Sequence, residues 1–343
     1  MSQVQKKELI QEPPAFLQQG NALLQKIAKA CDYFFLLRPT LFFPVWTIYT
    51  AGYFTGQHFF GDMAIMDRSL GKFWPVAIGA ALTLLMGSVF IINQLIDAAI
   101  DRKNNKLFLI ANGHISEKHA KIEAGLLAGI GLLTGFIHSV QTGVIFAAIF
   151  LITGVFYSMR PFKWKDRALR GLLLNALGAL MIFCAGWQSG TVLIADVWVY
   201  AIPYIAAVSG VYIYTTLLDI KGDSLYGKTT FAVDYGETIT IYVGAALGVF
   251  ALVSAWLLLD PLIFYPALFA APLFLITSFR QTQRNADRAI KYPILFLALA
   301  ISYKLPPFFV VIFVTYYFSK FYYFYRFGMR YPRFETEQDE KAG

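Results

Sequence analysis

Charge, cysteine and histidine are what this sequence has least of. Charged residues fill 15% of its 343 positions and hydrophobic ones 57%, and the mean hydropathy is +0.56. A soluble chain carries about 25% charged residues. The scarcity of charge, with long apolar runs, excludes a water-soluble globular protein and makes lipid the solvent for most of the chain. The two cysteines, Cys31 and Cys184, lie in or beside apolar stretches, which excludes a disulfide framework and a cysteine metal site. His58, His114, His119 and His138 are too scattered to form a ligand set. No apolar core follows Lys6 and Lys7, so a signal peptide is not expected. Residues 15–30 resemble a short amphipathic arm on the membrane surface, with Leu17, Leu24 and Ile27 on one side.

The net charge of +8 does not imply a nucleic-acid partner, because the basic residues sit in short loops between apolar segments. That placement fits topology and contact with anionic headgroups or substrates.

A spanning helix needs about 20 mainly apolar residues. The stretches that qualify are 33–57, 73–97, 122–139, 141–159, 168–190, 196–218, 238–259, 261–279 and 293–322. Backbone groups in lipid must be satisfied within the segment, so helical lengths predict an all-α integral membrane bundle of about nine transmembrane helices. An interfacial arm (1–32), a transmembrane domain (33–322) and a polar tail (323–343) follow. The loops near 101–121, 160–170, 219–236 and 280–292 hold most of the Lys and Arg, which predicts that they face the cytoplasm. Nine crossings put the tail, with Arg326, Arg330 and Arg333, on the opposite side.

Two acidic clusters stand out against this background. Asn93, Asp97 and Asp101 in NQLIDAAID are spaced by four, so they form one stripe climbing to the end of the second span. Asp219 and Asp223 in DIKGD, again four apart, end the sixth span. Carboxylates at membrane depth cost several kcal/mol unless a cation or a wet cavity compensates them. One such pair at a helix end is commonly a solvated face. Two at equivalent positions suggest two similar four-helix halves, plus one further helix, meeting at a common site. Hard oxygen donors favour Mg²⁺ shared with substrate phosphates. The neighbouring Arg38, Arg102, Lys103, Arg160, Lys163 and Lys228 are suited to diphosphate oxygens. An apolar bundle beneath such a site suits a hydrocarbon tail, and the implied substrate is an isoprenoid diphosphate.

These residues resemble the UbiA superfamily of intramembrane prenyltransferases. Asn93, Asp97 and Asp101 match its NxxxDxxxD signature, Asp219 and Asp223 its second Asp-x-x-x-Asp, and Arg38-Pro39 its early Arg-Pro pair. YSMRPFKWK, which holds Tyr157, Arg160, Lys163 and Lys165, is similar to the region after the fourth helix, and Asn175 stands where many members carry an asparagine. The resemblance implies that Asp97, Asp101, Asp219 and Asp223 hold Mg²⁺ and the diphosphate, with Asn93 in support. It also implies that Arg38, Arg102, Lys103, Tyr157, Arg160, Lys163, Asn175 and Lys228 bind substrate. A polyprenyl diphosphate would donate its prenyl group to a lipid-soluble acceptor, with an aromatic quinone precursor of homogentisate type as the leading choice. A digeranylgeranylglyceryl phosphate synthase-like reaction is the alternative within the family. A cation-coupled transporter and a non-catalytic scaffold are the alternatives outside it; the Asp-Gly-x-x-Ala-Arg pattern of CDP-alcohol phosphotransferases is absent.

Overall fold

The structure, a computed structural model, describes residues 22–61, 73–104, 108–329 and 331–332. Within them the chain is helical and holds no strand, and an isolated bridge joins Arg167 to Thr229. The helices are α1 (Ala22–Leu36), α2 (Phe42–Phe60), α3 (Phe73–Asn104), α4 (Glu117–His138), α5 (Val140–Ile149), α6 (Ala168–Gln188), α7 (Ile202–Leu225), α8 (Phe231–Leu257), α9 (Pro261–Phe279), α10 (Gln283–Lys304) and α11 (Pro306–Phe327). Among the described residues, seven helices are long and apolar enough to cross a membrane, and their lipid-facing sides carry many exposed large apolar side chains. The protein is an integral membrane protein.

Lipid supplies little drive for one apolar helix to leave it for another, so packing depends on close approach of small residues. Gly52 on α2 and Gly186 on α6 show why: a Cβ at Gly52 would lie 2.1 Å from the Phe183 carbonyl oxygen, and one at Gly186 1.8 Å from that of Tyr49. Only glycine permits this crossing, which forms one wall of the central cavity.

The apolar stretch 293–322, expected as one span, is divided between two helices. α10 ends at Lys304 and α11 begins at Pro306, because a proline lacks the N–H to continue a helix and restricts the residue before it. The two helices form a hairpin. Lys304 stands over the Phe54 ring, near the far end of α2, at 5.7 Å. Arg326, near the other end of α11, reaches Asp32 just before the start of α2.

That last contact is a buried lock. Asp32 is fully buried and accepts from Arg326 Nε (3.0 Å), Arg326 Nη2 (2.9 Å) and the Tyr322 hydroxyl (2.7 Å), while Phe35 stacks on Tyr322. Lys29 donates to the His114 carbonyl in the loop after α3. The part of the amino-terminal arm that is described, α1, is thus tied to the bundle through Asp32 and Lys29, while Leu23, Leu24 and Ile27 remain exposed. Its residues before Ala22 lie outside the described residues, as do Arg330 and Arg333 of the tail. The Asp32→Ala variant strands a guanidinium and a phenol, and loss of one partner of a buried pair costs up to about 3–5 kcal/mol. In unfolding measurements, Asp32→Ala and Arg326→Ala are expected to be strongly non-additive when combined; additive losses would show that the two groups do not act as a pair.

Candidate functional site

The stripe predicted on α3 leads into a charged cluster. Lys165 Nζ donates to Asn93 Oδ1 at 2.5 Å and also to the Asp97 carboxylate, and Ser158 Oγ donates to Asn93 Oδ1 at 3.2 Å. The Lys165 side chain is only 10% exposed, so ammonium and carboxylate each compensate the other's lost hydration. Gln94, one residue on from Asn93, faces elsewhere and donates to the Leu36 carbonyl at 2.7 Å, which fixes the chain entering α2.

A second cluster closes the end of α7. Asp223 accepts from Lys228 Nζ at 2.9 Å and from Thr230 Oγ1 at 3.0 Å. The turn that brings Lys228 back runs through Gly227 at φ 66°, a left-handed conformation suited to glycine. Asp219 stands one turn earlier on α7 and is exposed.

The loop between α5 and α6 joins the two. α5 passes into a seven-residue π-helix, Phe150–Phe156, whose wider turn delivers Tyr157 and Ser158 to the site. Further along, Thr229 N donates to the Asp166 carbonyl at 2.9 Å, and Arg167 bridges Thr229. Lys163 Nζ lies 3.3 Å from Asp166 Oδ2, while Asp166 Oδ1 is buried with no hydrogen-bond partner among the described residues. Burial disfavours the Lys228 ammonium, but the hydrogen bond to Asp223 and the charges of Asp223, Asp166 and Asp97 outweigh it. Its pKa therefore lies above the ordinary lysine value. The same three carboxylates act on one cation, so both clusters share one electrostatic site.

Beneath the site lies a cavity of about 330 Å³. Asn93, Tyr157, Ser158 and Asn175 line its polar part, and Ile48, Met86, Val89 and Ile182 line the apolar remainder. Asn175 Nδ2 donates to the Gly171 carbonyl at 2.9 Å, one turn earlier on α6. Arg160, Lys163, Asp166, Arg167 and Thr229 line a second, more polar hollow of about 760 Å³.

Most of the residues singled out in the sequence thus gather around one loop: Asn93, Asp97, Tyr157, Arg160, Lys163, Asn175, Asp223 and Lys228. No described contact joins Arg38 to them. Arg38 adopts a left-handed conformation (φ 55°) ahead of Pro39–Leu41, its charge acts on Tyr323, and no described hydrogen bond ties it to the carboxylates. Asp101, Arg102 and Lys103 continue the helix of α3, and their side chains lie outside the described residues. Lys165 and Asp166 acquire central positions that spacing alone did not assign. The run KWKDR offered a signal in its mixed charge, but the sequence does not tell which lysine turns inward.

Among the described residues, no three His, Cys, Asp or Glu side chains converge as a metal cage. Mg²⁺ does not require one, since it takes one or two carboxylates together with substrate phosphates and water. Asp97, Asp223 and the unpartnered Asp166 oxygen fit that shared mode. The raised Lys228 pKa gives a further expectation. The Lys228–Asp223 attraction is fully present below the ordinary lysine pKa and is lost as pH rises through the elevated one. The stability difference between the parent and Lys228→Met is therefore expected to hold from about pH 7 to about 10 and to narrow above that. Thermal unfolding across that range measures it, and a difference that vanishes near neutrality would contradict the assignment.

The UbiA prenyltransferase family model matches residues 45–300. The chain is 28% identical over 219 residues to a 2-acylphloroglucinol 4-prenyltransferase of Humulus lupulus, covering 60% of this chain and 52% of that one. It is 27% identical over 187 residues to the bacteriochlorophyll synthase 34 kDa chain of Chloroflexus aurantiacus, covering 51% and 58% respectively. The chain thus spans little more than half the length of these curated relatives. The fold is similar to that of a UbiA homolog from Archaeoglobus fulgidus bound to GPP and Mg²⁺, with a TM-score of 0.63, 20% identity, and coverage of 82% of this chain and 100% of that one. With the family match extending over most of the membrane bundle and both acidic clusters inside it, the chain belongs to the UbiA prenyltransferase family.

Proposed function

We propose that this protein transfers a prenyl group from a prenyl diphosphate to a lipid-soluble aromatic acceptor, with Mg²⁺ as cofactor and release of diphosphate. The observation that carries the reading is the pair of carboxylate–lysine clusters, Asp97–Lys165 and Asp223–Lys228, held around one loop above a largely apolar cavity. Asp97, Asp101, Asp219 and Asp223 are assigned to the metal, and Asn93 supports them. Bound Mg²⁺ supplies charge neutralisation for the leaving diphosphate.

The chain's own residues do the rest. Arg160, Lys163, Lys165 and Lys228, with Arg38, Arg102 and Lys103, are assigned to the diphosphate oxygens, where fixed cations stabilise charge as the C–O bond lengthens. The apolar walls shield the allylic cation-like prenyl group from water. Tyr157 and Asn175, which line the cavity together, orient the reacting end. An electron-rich ring carbon of the acceptor forms the new C–C bond and then loses its proton.

The aromatic acceptor class is supported by the likeness to the Humulus lupulus enzyme, whose name specifies an acylated phloroglucinol. A homogentisate-type quinone precursor is the choice we carry forward from the sequence. We also assign the site to the cytoplasmic face, because the basic loops cluster at that end. The two halves of the bundle, each contributing one acidic cluster, meet there within a transmembrane domain of residues 33–322.

The test is diphosphate release by purified protein from a panel of prenyl diphosphates, with and without Mg²⁺. Homogentisate, other phenols, quinone precursors and geranylgeranylglyceryl phosphate serve as acceptors. Mg²⁺-dependent release with a phenolic acceptor is the expected result. Release only with the glyceryl phosphate would reassign the acceptor, and cation-coupled solute uptake without release would replace the enzyme reading by a transporter. Asp97→Ala and Asp219→Ala are each expected to lower turnover by at least about 10²–10³-fold while the protein still purifies folded. Full activity in either variant would remove that aspartate from the metal site.

A further inference from the structure

Outside the catalytic cavity and the polar hollow beside it, a further hollow of about 540 Å³ runs between α3, α4 and the π-helical end of α5. It uses the neighbouring face of α3, about 100° around the helix from the reacting residues. Ser88, Ile92 and Ile96 line it, whereas Val89 and Asn93 line the catalytic cavity. On α4 its wall is made of small residues, and a Cβ added at Gly125 would meet nothing within 4 Å. Its volume lies within the range of about 300–1,000 Å³ typical of ligand pockets.

Its polarity is graded along the helix axes. Lys121, in the second turn of α4, and Arg160, just beyond α5, stand at the end that also holds the carboxylate clusters. Ala128 on α4 and Ser88 on α3 lie about 10 Å further along, at a rise of about 1.5 Å per residue. Two cations therefore sit at one end of an apolar groove. The Lys121 side chain is 66% exposed, and its ion pair with Glu117, at 3.6 Å, is loose and equally exposed. Such a surface matches an amphiphile with an anionic head and a hydrocarbon chain.

We propose that this groove is a binding site for an anionic phospholipid, with its phosphate at Lys121 and Arg160 and one acyl chain along Ile92 and Ile96 toward Ser88. Arg160 also lines the polar hollow beside Asp166, so the lipid phosphate and a substrate diphosphate compete for, or share, the same guanidinium. Phospholipid composition would thereby reach the reaction through one side chain. This site does not depend on the identity of the acceptor or on the metal.

The experiment uses the full chain in detergent, titrated with phosphatidylglycerol or phosphatidylcholine, and reads retained lipid by native mass spectrometry together with the thermal unfolding midpoint. Phosphatidylglycerol is expected to be retained and stabilising, and phosphatidylcholine markedly less so. Lys121→Glu is expected to weaken phosphatidylglycerol retention by about fivefold or more, the effect of one membrane-surface cation. Gly125→Leu, whose Cβ would meet nothing within 4 Å and whose bulk is added to the groove wall, is expected to block acyl-chain occupancy and remove the stabilisation. Equal retention of both lipids would overturn the proposal, as would unchanged phosphatidylglycerol retention in both variants. Displacement of phosphatidylglycerol by geranylgeranyl diphosphate in the parent but not in Lys121→Glu would assign the groove to the donor instead and would also overturn it.

Discussion

An ionised carboxylate at the edge of a hydrocarbon slab has to be matched by a cation, and much of the architecture around the site follows from meeting that requirement twice. Asp97 lies in the last turns of one long helix and Asp223 in the last turn of another, and among the described residues each is paired with a lysine from outside its helix. Lys165 and Lys228 come from the loops that follow α5 and α7. Each loop must therefore fold back over the bundle end. Once it does, Asp166 and Thr229 meet and bond through their backbones, and the two loops become one roof. The cavity acquires its polar lid from the same charge compensation that makes the carboxylates tolerable.

Buried acids elsewhere meet the same demand in other ways. Asp260, between α8 and α9, is buried at the opposite end of the bundle. It accepts from the Thr55 and Tyr204 hydroxyls and from Leu262 N at the start of α9. These are neutral donors. Burial pushes the Asp260 carboxyl above its ordinary range, and the hydrogen bonds only partly offset that. Asp32 has a guanidinium and a phenol, which fully engage it as a structural pin. The site differs from both in its surplus of positive charge. Lys163, Lys165, Lys228, Arg160 and Arg167 outnumber the four described carboxylates Asp97, Asp166, Asp219 and Asp223, so the local field favours an incoming polyanion.

The sequence made the membrane segments legible because hydropathy is additive over a window, and it made the acidic stripes legible because a spacing of four is a fixed angle on a helix. It was silent where the outcome depends on contacts between distant segments. Asp32 and Arg326 are far apart in the chain, and each looks like an ordinary loop or tail charge until α11 is placed. In FKWKDR, nothing in the spacing separates Lys163 from Lys165. The left-handed backbone at Lys163 leaves it paired with Asp166 and turns Lys165 toward Asp97. The π-helix ahead of Tyr157 is equally hidden, since FLITGVF reads as uninterrupted apolar helix.

The hairpin at Leu305 shows how a local signal can be outweighed by a longer one. An unbroken apolar stretch from 293 to 322 favours one span, yet Pro306 and Pro307 lie inside it, and a helix ends before such a pair more readily than it passes through. Dividing that stretch changes more than a helix count. With a single span the basic carboxy-terminal residues emerge opposite the other basic loops, in conflict with the charge distribution. With a hairpin, Arg326 returns to Asp32 and Tyr331 to Thr40, at the end of α2 that borders the site. The anomaly in the tail's charge was therefore information about topology. One extra reversal of the chain brings the tail's cation to the same end as Lys165 and Lys228, and the acid that anchors it lies just ahead of Arg38.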